Sequence, residues 1–135
     1  MSEHAPRPAS RTLAAMMDRG DVFVPDCPSR AVLKRITSSW GLLVLVALRD
    51  GTRRFSELRR RVNGVSERML AQTLQQLEAH HLVTRYSLPV VPPHVEYSLT
   101  PLGEAAAAKV EDLVEWIQAN IAALMPAEAE AEAAE

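Results

Sequence analysis

The chain has 135 residues, 47% of them hydrophobic, with a formal net charge of −2, one cysteine and four histidines. That length suits one packed domain with short extensions, and a single cysteine excludes both an internal disulfide framework and a cysteine-rich zinc site. No apolar run approaches the ~18 residues that span a bilayer, and Met1-Ser2-Glu3-His4-Ala5-Pro6 lacks the apolar centre of a signal peptide, so the expectation is a cytoplasmic protein with no membrane partner.

Residues 1–10 are rich in Pro, Ser and charge and read as an arm. Residues 11–19 form a candidate short helix ended by Gly20, so 1–20 is set apart from the domain at 21–125. Cys27-Pro28 opens a helix to about Thr37, with Pro28 at the first helical position and Ala31, Val32, Leu33 and Ile36 as its apolar side. Residues 40–49 are nearly all apolar. Content alone allows a buried strand, but length and flanking pattern favour a central buried helix stopped by Asp50-Gly51.

Phe55, Leu58 and Val62 fall at i, i+3 and i+7, which gives a short amphipathic helix. Asn63-Gly64 ends it, both tolerating positive φ. Ser66 caps a longer helix from Glu67 to about His80, with Leu70, Leu74 and Leu77 as its apolar seam. Residues 83–88 and 94–99 alternate near period two around Pro89-Val90-Val91-Pro92-Pro93, which reads as a hairpin with a stiff tip. Thr100-Pro101 starts a last helix running to about Leu124, with Leu102, Ala106, Val110, Leu113, Trp116 or Ile117, and Ile121 along one stripe. Residues 126–135 read as a disordered acidic tail.

Charge is distributed unevenly along this order. Residues 49–68 hold seven arginines and three acids, whereas residues 111–135 hold seven acids and no Lys or Arg. A charge run alone reads as a solvated helix face. Here, however, the basic run coincides with a short helix, a glycine turn and a capped helix, which is the helix-turn-helix pattern, followed at once by a hairpin wing. The fold class expected is α+β, mostly α: a winged helix-turn-helix with extra N- and C-terminal dimerisation helices. With the leucine seam inward, Arg68, Gln72 and Gln75 share the outer face at i, i+4 and i+7, flanked by Thr73 and Gln76. Arg and Gln suit bidentate readout of guanine and adenine, so these five are the expected base contacts. Arg53, Arg54, Ser56, Arg59 and Ser66 are the expected phosphate contacts. Arg59, Arg60 and Arg61 point in three directions, so not all three can touch one DNA backbone.

The sequence resembles the HxlR-type winged-helix regulators. The likeness is carried by Cys27-Pro28, Trp40, Arg54-Phe55-Ser56-Glu57-Leu58-Arg59, Gly64-Val65-Ser66, Met69-Leu70, Leu74, Leu77, Val83 to Tyr86, Pro92-Pro93 and Val95 to Gly103. It covers about residues 26 to 118. It implies a homodimer joined through terminal helices, with two recognition helices in adjacent major grooves. Two departures stand out. Ser38-Ser39-Trp40 replaces the family's Gly-Lys-Trp, and His94 follows the wing prolines where the family has arginine.

Cys27 sits at a helix cap, where the dipole favours a thiolate. In several members of the resembled family the cysteine at this place senses oxidants or electrophiles. Two readings stand side by side: a redox sensor, and a small buried residue near the dimer interface. His80 and His81 point about 100° apart on a helix, which makes no metal site, and no catalytic constellation is present. The expected function is therefore a non-enzymatic, sequence-specific DNA-binding regulator, a homodimer on double-stranded DNA at a near-palindromic operator. No cofactor is expected, and the effector, a small molecule or an oxidant acting at Cys27, is left open. The alternative is a winged-helix protein-interaction module without DNA binding.

Overall fold

The computed structural model describes residues 21–126. The arm at 1–20, its candidate helix, and the tail from Ala127 onward lie outside the described residues.

Cys27 has extended backbone angles, and Pro28 opens α1 (Pro28–Thr37) where its missing N–H costs nothing. This helix buries no residue fully. Ile36 packs on the core, but Leu33 stays exposed, so the expected apolar side is only partly covered. Ser38 joins α1 to α2 (Ser39–Ala47). Its hydroxyl donates to the Arg35 carbonyl at 3.0 Å and accepts from the Gly41 N–H at 3.1 Å. The serine that replaces the family's glycine thus caps the next helix, and the two helix axes meet at 70°. The apolar run is a helix, as length and flanks suggested. It is apolar on every side because α1, α4 and α5 all bear on it or its neighbours. A 3₁₀ turn at Leu48–Asp50 follows, and Gly51 ends it with φ 129°.

Residues Arg53–Arg54 then form β1, a strand the sequence did not suggest. Two arginines show no alternation, and the strand exists because β3 offers a free edge. Helix α3 is Phe55–Arg61 and α4 is Glu67–Ala79. Of the turn residues between them, Gly64 alone adopts a positive φ, 97°. Helix α4 ends on His81 at φ 61°, with the Leu82 N–H donating to the Leu77 carbonyl at 3.0 Å. That is the 6→1 bond of a left-handed helix stop, made here without glycine.

Strands β2 (Val83–Leu88) and β3 (His94–Leu99) pair antiparallel, from Val83 opposite Leu99 to Leu88 opposite His94. On the other edge of β3, Arg53 lies opposite Tyr97 and Arg54 opposite Glu96. The expected two-stranded ribbon is therefore a three-stranded sheet in the order β1-β3-β2. The last helix also differs from expectation. Helix α5 (Pro101–Ala119) stops at Asn120, whose side chain donates back to the Trp116 carbonyl at 2.9 Å, and a short α6 (Ile121–Leu124) follows. Asparagine competes with the helix backbone in this way. The stripe is split as well. Gly103, Ala107 and Val110 are buried in the chain's own core, whereas Leu102, Leu113, Trp116 and Ile121 are exposed.

The core is one cluster. Val44, Leu45 and Leu48 of the central helix and its end meet Leu58, Leu70, Leu74, Leu77 and Val83. The start of α5 is fastened to the end of α4. The Thr100 hydroxyl donates to the His81 carbonyl at 2.6 Å and accepts from the Gly103 N–H at 2.9 Å. Gly103 lies so close to the Leu82 carbonyl that a Cβ there would collide with backbone. Gly103→Ala is therefore expected to lower stability by about 1–3 kcal/mol through forced backbone movement. Urea unfolding at fixed protein concentration checks this, and an unchanged midpoint would contradict it.

Candidate nucleic-acid interface

Helix α4 is aimed by its seam. Leu70, Leu74 and Leu77 are essentially inaccessible, and at 100° per residue the opposite face carries Arg68, Gln72 and Gln75. All three are exposed. Gln76 lies at the border and is half-buried. Thr73 is 5% exposed and belongs to the core side of the helix. The expectation that it flanks the outer face is corrected. Three residues beyond Leu70 and one before Leu74, it turns toward the core, and a short side chain there cannot reach a groove.

The N-terminus of α4 is fixed by a side-chain cap. The Ser66 hydroxyl accepts from the Met69 N–H at 3.0 Å, which fixes the first turn. Around it, Ser56, Arg59, Arg60, Asn63, Gly64 and Val65 border an open hollow of about 840 Å³. The positive φ of Gly64 turns the chain from α3 into α4 there. Arg60, one of the three α3 arginines that point in different directions, and Asn63, read from the sequence only as a turn residue, both border this hollow.

The expected phosphate contacts are dispersed. Arg54 and Ser56 are exposed, and Arg53 is half-buried on β1. The Glu57 carboxylate accepts from the Arg54 N–H at 2.8 Å and anchors the start of α3. Arg59 is not free. Its guanidinium pairs with Glu67 at 3.1 Å, joining the two helices of the motif. Glu67, the single acid at the start of α4, therefore has a structural partner as well as a dipole to serve. The pair is solvent-exposed and adds little stability. What it does is take one cation out of the hollow.

His94 stands at the first position of β3, below the wing tip, where its Nε2 lies 2.8 Å from a Glu96 carboxylate oxygen. The tip itself, Pro89 to Pro93, carries no charged side chain, and Val91 is 98% exposed. Cys27 is buried at the cap of α1. The hydrogen bond with the Ser29 side chain, helped by backbone bonds at the helix start, holds its thiol below the usual cysteine range against an opposing effect of burial. Among the described residues no cluster of His, Cys, Asp and Glu could hold a metal ion, and no single helix is long and apolar enough to cross a membrane.

A short helix, a glycine turn, a capped helix with a polar outer face and a three-stranded wing together make a winged helix-turn-helix. Comparison with known proteins agrees. A family model described as HxlR-like helix-turn-helix matches residues 35–125. The HTH-type transcriptional regulator YtfH of Escherichia coli (strain K12) is 57% identical over 110 residues, covering 82% of this chain and 87% of that one. Among solved structures, the transcriptional regulator ytfH from Salmonella typhimurium is 60% identical, with a TM-score of 0.74 over 77% of this chain and 93% of its own. The redox regulator HypR in its reduced form is 36% identical, with a TM-score of 0.66 over 72% and 96%. The chain is thus a member of the HxlR-like helix-turn-helix family, a transcriptional regulator of the helix-turn-helix type.

Proposed function

We propose that this regulator binds double-stranded DNA as a homodimer on a near-palindromic operator. The observation that carries the reading is the outer face of α4, where Arg68, Gln72 and Gln75 stand exposed together with no acid among them. Those three read base edges from the major groove, with Gln76 at the margin. Thr73 is left out because it is buried. Arg53, Arg54, Ser56 and Ser66 hold phosphates and fix the register, and Arg59 joins them only through the share of its charge that Glu67 leaves unneutralised. The uncharged tip of the wing rests on the DNA by shape, with His94 just below it.

The exposed part of the α5 stripe supports the dimer. Leu113, Trp116 and Ile117, with Ile121 and Leu124 of α6, leave a large apolar surface uncovered, and Leu33 of α1 and Leu43 of α2 are exposed as well. A patch of this kind calls for a partner surface. A second copy of the same helices satisfies it and sets two recognition helices about 34 Å apart. Selection from random duplex DNA is expected to yield a palindrome, with affinity falling steeply between about 50 and 200 mM salt. No enrichment at either salt would overturn DNA binding and favour a protein-interaction module.

Control through Cys27 is the finer part of the reading. Its thiol is held below the usual range at the start of α1, and the relative HypR is described as a redox regulator. The folded chain therefore keeps a larger thiolate fraction at neutral pH than the unfolded chain does. Alkylation of this sole cysteine should rise with pH at a lower midpoint in the folded than in the urea-unfolded chain. Oxidant should change DNA affinity in the parent and leave the Cys27→Ser protein unaffected. Equal oxidant responses in the two proteins would remove Cys27 from the mechanism.

A further inference from the structure

The cations of the helix-turn-helix are not all turned toward the α4 hollow. Arg53 of β1, with Arg60 and Arg61 of α3, borders a second hollow, of about 390 Å³, beside α3. Glu57 is the one acid there, and its carboxylate is held by the Arg54 N–H. Among the described residues, none of these three arginines has an ion-pair partner. Three guanidinium groups with no ion-pair partner among the described residues, against the one carboxylate of Glu57, give this concave surface a net positive charge suited to an anion, and Arg60 borders both hollows.

The chain itself carries a complementary segment. Residues 127–135 hold Glu128, Glu130, Glu132 and Glu135 and no cation. The first three alternate with alanine, so an extended chain would present one carboxylate per roughly 7 Å on one side. That is a row of evenly spaced single negative charges, the pattern a nucleic-acid strand presents. The two regions are linked through α5. Arg49, four residues before Arg53, pairs with Glu111 of α5 at 3.1 Å. Helix α5 then runs on only about 12 Å to Ala119. Asn120, α6 and the two residues after it add their own length before the nine-residue segment begins, and that segment reaches about 30 Å when extended.

We propose that residues 127–135 dock on the surface formed by Arg53, Arg60 and Arg61 and compete there with DNA phosphates. The docking stands on charge complementarity and on the length of the segment; the competition rests on the DNA-binding reading above. The acidic segment then acts as a built-in competitor that weakens loose, sequence-independent binding most, because that binding consists of phosphate contacts.

Two measurements on the full chain test it. In the first, a nitroxide is attached at Ala133→Cys in the Cys27→Ser chain. Selective broadening of the Arg53, Arg60 and Arg61 amide signals is expected at low salt, and its loss is expected at about 0.5 M salt, where screening is short-ranged. Broadening centred instead on Arg30, Lys34 and Arg35 of α1, or none, would overturn the docking. The second needs no change at Cys27. Replacing the four glutamates with glutamine should raise affinity for random duplex DNA by about threefold to tenfold at about 50 mM salt and by less at 200 mM. Selective broadening without that gain would overturn the competition. A chain that binds no DNA with or without the four glutamates would contradict the function, while the nitroxide result would still decide the docking.

Discussion

The structure depends on burial of the α4 leucine seam against the central helix. Leu70, Leu74 and Leu77 lose essentially all their exposure against a core that includes Val44, Leu45 and Leu48. Each such side chain contributes about 1.5–3 kcal/mol when fully buried, so rotation of α4 about its axis is strongly resisted. The functional consequence follows from helix geometry. With the seam fixed inward, the residues half a turn away must face out, and those are Arg68, Gln72 and Gln75. The same constraint turns Thr73 inward. Core packing therefore selects which polar residues of α4 are exposed.

Around that axis, polar capping sets the ends. Ser38, Ser66 and Thr100 each accept a backbone N–H from the helix that follows, at 3.1, 3.0 and 2.9 Å. Thr100 also donates to the His81 carbonyl, which stabilises the left-handed residue that stops α4. The recognition helix is thus fixed at its start by Ser66 and by the Arg59–Glu67 pair, and at its end by the beginning of α5. Helix α4, the proposed recognition helix, and the helix that carries the exposed apolar stripe share a junction. That junction is where a change at the apolar stripe would reach the recognition helix.

Much of this was legible in the sequence because period and caps are local signals. The helix starts at Pro28, Glu67 and Pro101, the wing register region and the glycine turn followed from residue type and spacing. What was not legible depended on tertiary context. Strand β1 consists of Arg53–Arg54 and exists only because β3 has an open edge. The break at Asn120 depends on a side chain turning back onto its own helix. The orientation of Thr73 was legible from its 100° steps relative to Leu70 and Leu74, but its polar chemistry had suggested the outer face. The pairing of Arg59 was not legible because its partner Glu67 lies eight residues away, across the turn, and only the fold brings them to 3.1 Å.

The most direct test of this account is a comparison of Arg68→Ala with Arg54→Ala on a library of operators, each with one base pair changed, at several salt concentrations. If α4 reads bases and the start of α3 holds the backbone, Arg68→Ala will cost about 1–3 kcal/mol at the preferred operator and relax preference at one position per half-site. Arg54→Ala will instead weaken binding to every sequence alike and reduce the salt slope by about one. Uniform weakening by both variants, with no position losing its preference, would contradict the claim that the leucine seam aims Arg68 at a base edge.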